Sequence, residues 1–292
     1  MKLIDQKQVA RKISLRLQKN NIYKGLFIAA TGFALLMLVI LLYRIFTQGI
    51  GYLNWDFITN FASRRPERAG ISAALWGSIW LVAVVAPVSL ILGVGTALYL
   101  EEYAKQNRFT QFIQINIQNL AGVPSIVFGL LGLTVFARAL NLGGSILAGG
   151  LTMSLMILPV IVVSSQEAIR AVPKSLREAS YGMGATKWQT ILRVVLPAAV
   201  PGVLTGSILA LSRAIGETAP LLVVGALAFV NFLPKSIMDS FTVLPIQIYN
   251  WTSRPQEAFH DLAATGIIIL LALLIVMNSI AVLIRNKFQK RY

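Results

Sequence analysis

Residues Gln166–Pro197 read QEAIRAVPKSLREASYGMGATKWQTILRVVLP, a polar and basic island between two apolar stretches. A connection this long inside a compact bundle usually has a task of its own. Pro173 and Lys174 open a short helix, with Leu176, Ala179 and Ser180 at helical spacing. Gly182 and Gly184 permit a turn. Thr186 is placed to cap a second helix, in which Trp188, Ile191, Leu192 and Val195 recur with helical period. The spacing predicts a helix–turn–helix at a membrane surface, with Trp188 at the interface.

Moving outward, apolar runs flank the island on both sides. They cover about 25–43, 73–100, 120–140, 145–165, a stretch opening near Pro197, and 263–284. Several exceed the ~18 residues that a membrane-crossing helix needs. The expectation is an all-α, polytopic membrane bundle of about six transmembrane helices. Pro87, Pro124 and Pro159 lie inside these runs, which is tolerated where neighbours satisfy the freed backbone groups. The first run is too long for a signal core, has no small-residue cleavage site after it, and reads as a retained span.

Composition agrees. Of 292 residues, 56% are hydrophobic and 13% charged, against about 25% charged in a typical soluble domain. Mean hydropathy is +0.71. There is no cysteine and one histidine, His260. Disulfides, thiolate metal sites and His-rich metal sites are therefore excluded. No G-x-x-x-x-G-K-[ST] run occurs, so the chain has no Walker-type nucleotide site. The net charge of +15 sits beside apolar segments, which points to membrane orientation and anionic lipid rather than nucleic acid.

Lys2, Lys7, Arg11, Lys12, Arg16, Lys19 and Lys24 precede the first span. With six spans they share a face with Lys105, Arg108, the bases of the quoted island, and Arg285, Lys287, Lys290 and Arg291. Arg44, Arg64, Arg65, Arg68, Arg138, Lys235 and Arg254 fall on the other face. The imbalance predicts both termini in the cytoplasm. Trp55, Trp76, Trp80 and Trp251 are expected to anchor at the outer interface.

The apolar stretch Pro197–Phe232 is over 50 Å long as one helix at ~1.5 Å per residue, too long for one straight span. A helix to about Glu217 is expected, then a break near Pro220, with Leu221–Phe232 partly re-entrant or interfacial. Two spans joined by a tight turn is the competing arrangement. Arg213 lies within this stretch, between midplane and outer face. An intramembrane arginine costs about 2.5–3.5 kcal/mol on insertion scales and should face protein or water. Glu217 is four residues on, in the weaker order for an intrahelical pair, so partners across helices are expected. From the residues alone, Arg213 fits equally a group that grips an anion and a structural ion pair. Gly202-x-x-x-Gly206 suits close helix packing.

Glu178-Ala179-Ser180, then Gly184, then Val194-Val195-Leu196-Pro197 resembles the EAA loop of ABC importer permeases. That pattern reads E-A-A, three residues, G, nine residues, I-x-L-P; Ser180 and Val194 depart from it slightly. Arg213-Ala214-Ile215-Gly216-Glu217-Thr218 is similar to a motif of phosphate importer permeases, the PstA type above all. Tyr99–Tyr103 and Gly122–Leu130 are similar to that family as well. The resemblance covers roughly residues 70–285 and implies the type I ABC importer permease fold.

It further implies a membrane-spanning, non-enzymatic subunit of an ATP-driven inorganic phosphate importer. Glu178, Ala179, Ser180, Gly184, Leu196 and Pro197 would couple to a separate ATPase. Arg213, Glu217 and Thr218 would line the substrate pathway. Implied partners are a second permease of the PstC type, an ATPase dimer carrying ATP and Mg, an extracytoplasmic phosphate-binding protein, phosphate and membrane lipids. The chain itself would bind no cofactor. The location would be the bacterial inner membrane. On this reading 1–24 is a cytoplasmic arm, 25–46 the first transmembrane helix, and 70–285 the permease core. The coupling loop falls at about 167–195, and 286–292 is a cytoplasmic tail. The alternatives are a permease of this architecture for molybdate, sulfate or an amino acid, and a secondary transporter. The latter class typically shows inverted repeats, and none is visible here.

Overall fold

The computed structural model describes residues 6–105, 107–227 and 229–288. Lys2, Lys290 and Arg291, which entered the orientation argument, lie outside the described residues. In chain order the helices are α1 (Gln6–Gly49), α2 (Trp55–Thr59), α3 (Ser72–Leu98) and α4 (Arg108–Leu120). Next come α5 (Ser125–Gly132), α6 (Ile146–Arg170), α7 (Lys174–Gly182) and α8 (Lys187–Thr190). The last four are α9 (Leu196–Ile215), α10 (Ala219–Val224), α11 (Leu244–Thr252) and α12 (Glu257–Phe288). Three π-helical turns extend them: Tyr99–Tyr103 after α3, Leu133–Ala139 after α5, and Ile191–Val195 between α8 and α9.

Among the described residues, five helices are long and apolar enough to cross a membrane, and a bent pair supplies a sixth crossing. The packing shows why the pair must cross. Gly150 of α6 meets Val84 of α3, Gly93 of α3 meets Ile161, and Glu101 meets Arg170. Residue numbers rise together along the contact, so α3 and α6 run parallel. The chain between them has to return through the membrane. That return is made by α4 and by α5 with its π-turn, bent by 105°. The apolar run 120–140 is therefore not the single straight span expected from the sequence. Gly122-Val123-Pro124 breaks it, because the residue before proline is driven out of the helical region. The helix before the break begins at Arg108.

The core is α6, packed on α3 and α9, with Met153, Ile157 and Ile161 fully buried. In lipid there is little hydrophobic drive between helices, so close approach of small residues carries the packing. A Cβ on Gly202 would meet Ala168 at 2.8 Å, and one on Gly206 would run into Ser164. The glycine pair is thus the α9–α6 contact. α12 runs antiparallel to α9, joined by a 2.6 Å hydrogen bond from Ser212 Oγ to Asn278 Oδ1.

At ~1.5 Å per residue, the 44-residue α1 is about 66 Å long. The described part of the basic arm and the first span are one continuous helix. Most of its described surface is exposed; it docks at Gly49, whose carbonyl accepts from Thr265 of α12 at 2.8 Å. α9 stops at Ile215, and α10 follows after Gly216–Thr218. The break sits slightly before Pro220, which is N-terminal within α10 where its missing N–H costs nothing. α10 ends on Gly225 with φ +110°. It is a short re-entrant piece packed on α5, with Leu221 and Val224 buried.

One anchor expectation fails. Trp251 is fully buried, its ring 5.7 Å from that of Phe57. It belongs to α11, which with Leu244, Ile246 and Phe259 plugs the outer end of the bundle. Trp55 and Trp76 are exposed and Trp80 is half-buried.

Candidate functional site

The island Gln166–Pro197 folds into a hairpin at the end of the bundle where α3 and α6 terminate. α7 begins directly after Pro173 and ends at Gly182. Gly184 has φ +82° with open space around a built Cβ. Glycine is required there for backbone conformation and not for room. Thr186 caps α8 through a capping box with Gln189. Ser180 Oγ lies 2.9 Å from Thr190 Oγ1 and ties α7 to α8. The second helix is not separate, as the sequence spacing implied. α8 runs through the π-turn Ile191–Val195 straight into α9, opened by Leu196 and Pro197. The hairpin and a membrane helix are thereby continuous, without a joint of irregular chain between them.

The hairpin presents a groove and several exposed side chains. Ala179 and Ser180 line a shallow, mostly apolar groove of about 430 Å³ with Leu176, Met183 and Ala185. Met183 is 89% exposed. Glu178 is exposed and forms no salt bridge among the described residues.

Behind the hairpin is a network that the site prediction missed. Glu101 accepts from Arg170 Nη2 at 2.6 Å, Arg170 Nε at 2.9 Å and Gln166 Nε2 at 2.9 Å. Glu102 accepts from Arg177 Nη2 at 3.1 Å. Two adjacent glutamates closing an apolar run, with arginines on the neighbouring loop, were the available signal.

Arg213 lies far from this foot. It sits level with Met156 and Ile157 of α6, beside the α4–α5 bend at Leu120–Ser125. Its side chain is 66% exposed, on the same face of α9 as Leu209. Its Nε is 3.6 Å from Glu217 Oε1. The partner is on the same chain segment, just past the end of α9, and not across helices as expected, because the turn in which Gly216 N donates to Arg213 O and Glu217 N to Ala214 O keeps Glu217 beside the guanidinium. At 3.6 Å the contact is an ion pair without a hydrogen bond. Thr218 starts α10 and makes no side-chain cap. Arg213, Glu217 and Thr218 are thus together, while the hairpin residues form a second, separate site.

Among the described residues the chain combines six crossings, counting the bent pair as one, with an exposed helical hairpin that leads directly into a membrane helix. The fold matches a solved bacterial ABC transporter involved in import of the acidic polysaccharide alginate. The TM-score is 0.66 at 18% identity, over 94% of this chain and 100% of that one. It also matches an inward-facing MetNI methionine ABC transporter, with TM-score 0.62 and 19% identity over 74% of this chain and 95% of that one.

Residues 89–291 match the family described as binding-protein-dependent transport system inner membrane component, and the chain belongs to that family. A phosphate transport system permease protein PstA from Mycobacterium leprae (strain TN) is 38% identical over 257 residues, 86% of this chain and 83% of that protein. A probable ABC transporter permease protein, YqgI, from Bacillus subtilis (strain 168) is 32% identical over 253 residues, 83% of this chain and 86% of that protein.

Proposed function

We propose that this chain is the PstA-type half of an ATP-driven inorganic phosphate importer. The observation that carries the reading is Arg213, a half-free guanidinium at mid-depth on an open face of α9. A guanidinium offers several fixed donors to a tetrahedral oxyanion. Its one contact, with Glu217, is long, so an anion can compete for it. A tightly paired arginine would repel nothing and bind nothing. A naked arginine would hold phosphate too long for passage. Similarity to a protein named as a phosphate transport permease supports the same cargo.

The second half of the pathway is a PstC-type permease facing α9. An ATPase dimer, with ATP and Mg bound on its own residues, docks on the α7–α8 hairpin through Glu178, Ala179, Ser180 and Met183. An extracytoplasmic phosphate-binding protein delivers the anion to the opposite face. On this reading the hairpin side is the cytoplasm, and six crossings bring the start of α1 and the end of α12 to that side.

The test is uptake by the assembled transporter in proteoliposomes, with labelled phosphate outside and ATP on the hairpin side. Expected is ATP-dependent phosphate uptake that excess sulfate and molybdate do not suppress. Uptake suppressed by sulfate or molybdate, with phosphate a poor competitor, overturns the cargo. Uptake that proceeds without ATP overturns the coupling.

A further inference from the structure

The hairpin's chain neighbours are α6 and α9, so its movement reaches those two helices through the backbone. α3 has no such link, yet the hairpin grips it at two points. Both lie in one five-residue segment, the π-turn Tyr99–Tyr103.

The first grip is Arg177 of α7. Its Nη1 donates to Val172 O at 2.7 Å; its Nη2 donates to Ile169 O at 2.9 Å and to Glu102 Oε1 at 3.1 Å. Ile169 lies in the last turn of α6 and Val172 just past its C-cap, where helix carbonyls lack intrahelical partners and the helix dipole favours a cation. One planar guanidinium therefore joins the ends of three helices. Its side chain is 19% exposed and that of Glu102 10%, so the pair is shielded from bulk screening. The second grip is Lys187 of α8, whose Nζ stands 4.9 Å from the centre of the Tyr103 ring. A cation at that distance over an aromatic face is attracted to it.

The backbone of the turn makes this possible. Ala104 N donates to Tyr99 O at 2.8 Å, closing a wide i→i+5 turn. Within it, consecutive glutamates serve different partners: Glu101 holds Arg170 and Gln166 of α6, and Glu102 holds Arg177 of α7. Among the described residues, Arg177–Glu102 is the one side-chain hydrogen bond from α7 to a helix that is not its chain neighbour.

We propose that Glu102 and Arg177 are positioning residues for transport: their contact makes the π-turn a follower of the hairpin, so that displacement of α7 moves α3 together with α6 and α9. The inference rests on the coupling reading above and names a route within it. A merely structural contact would only hold the fold together. A follower must also keep uptake in step with hydrolysis.

The experiment uses the whole transporter in proteoliposomes, with binding protein loaded with inorganic phosphate. ATP hydrolysis and uptake are measured on the same vesicles for wild type, Glu102→Gln and Arg177→Lys. Both variants keep size and some hydrogen bonding, which favours folding. Lysine cannot reproduce the fork of contacts. Because the chain has no cysteine, Ile91→Cys and Ser175→Cys, both at exposed positions, can carry a spin-label pair that reports the α3–α7 distance.

Expected is hydrolysis within about twofold of wild type and phosphate moved per ATP lowered about tenfold, the scale of one charged hydrogen bond. The ATP-dependent distance between the labels should also broaden. Hydrolysis and uptake falling in proportion, or an unchanged ratio with an unchanged distance distribution, overturns the inference while leaving the function intact. A wild-type transporter with no ATP-dependent uptake overturns the functional reading and the inference together.

Discussion

Arg177 and Arg213 are the same residue type in opposite circumstances. Arg177 is largely buried at the foot of the bundle and has three acceptors within 3.1 Å. Arg213 is 66% exposed at mid-depth, with one partner at 3.6 Å. The first spends three of its five donors on its own chain and is largely enclosed by it. The second has most of its donors free. Arg177 is thus held by its own chain, while Arg213 is left short of partners. On the proposed function, the difference divides the molecule into a densely paired foot that would receive force and a sparsely paired middle that would meet cargo.

The comparison breaks first, and most visibly, at Arg177. Arg177→Ala strands the Glu102 carboxylate and two carbonyls, and should cost about 3 kcal/mol of stability, the upper range for hydrogen bonds to charged groups. A thermal melt of the detergent-solubilised transporter checks this; an unchanged midpoint would mean water replaces the guanidinium freely. Gly184→Val comes next. A β-branched residue at φ +82° should cost about 2 kcal/mol from backbone strain alone. The hairpin should then lose affinity for the ATPase, seen as weaker co-purification. Full retention would show that the turn can relax without glycine.

Arg213→Ala is the opposite case. The melting midpoint should hold, since the side chain is mostly exposed and weakly paired. Phosphate uptake should fall about tenfold, or 1.4 kcal/mol, with ATPase binding intact. A drop in stability with normal uptake would make Arg213 a structural ion pair and erase the contrast with Arg177.

How far the sequence reached depends on whether a feature is local. The hairpin was legible because Thr186, Gly184 and Pro173 act on their own backbone. The Gly202–Gly206 contact was legible because small residues four apart share a helix face. The bend at Gly122–Pro124 was misplaced into a straight span because α4 is amphipathic. Its apolar residues Phe109, Phe112, Ile113 and Ile117 alternate with Gln and Asn, and their summed hydropathy hides the helix. Trp251 was sent to the interface because tryptophan is common there; only the tertiary placement of α11 against Phe57 buries it. The Glu101–Glu102 network was legible only as two adjacent glutamates and a loop with arginines; the pairing was not, because Arg170 and Arg177 lie about 70 residues downstream. Periodicity carries no information at that range.

The smallest expected effect sharpens the idea of a densely paired foot. Thr186 accepts from Gln189 N at 3.3 Å, and Gln189 Oε1 accepts from Thr186 N at 2.9 Å. This reciprocal pair fixes where the second arm of the hairpin starts. Thr186→Ala removes one half of it and should cost about 1 kcal/mol. The residue is exposed, so no cavity or buried polar group adds to that figure. If the hairpin is rigid in its own right, fraying of α8 should stay local. Amide exchange would then rise at Lys187–Gln189 and remain slow from Ile191 into α9. If exchange rises through the π-turn into α9 as well, the hairpin and the membrane helix open as one unit. The boundary between receiver and pathway would then lie deeper than the foot, closer to Arg213.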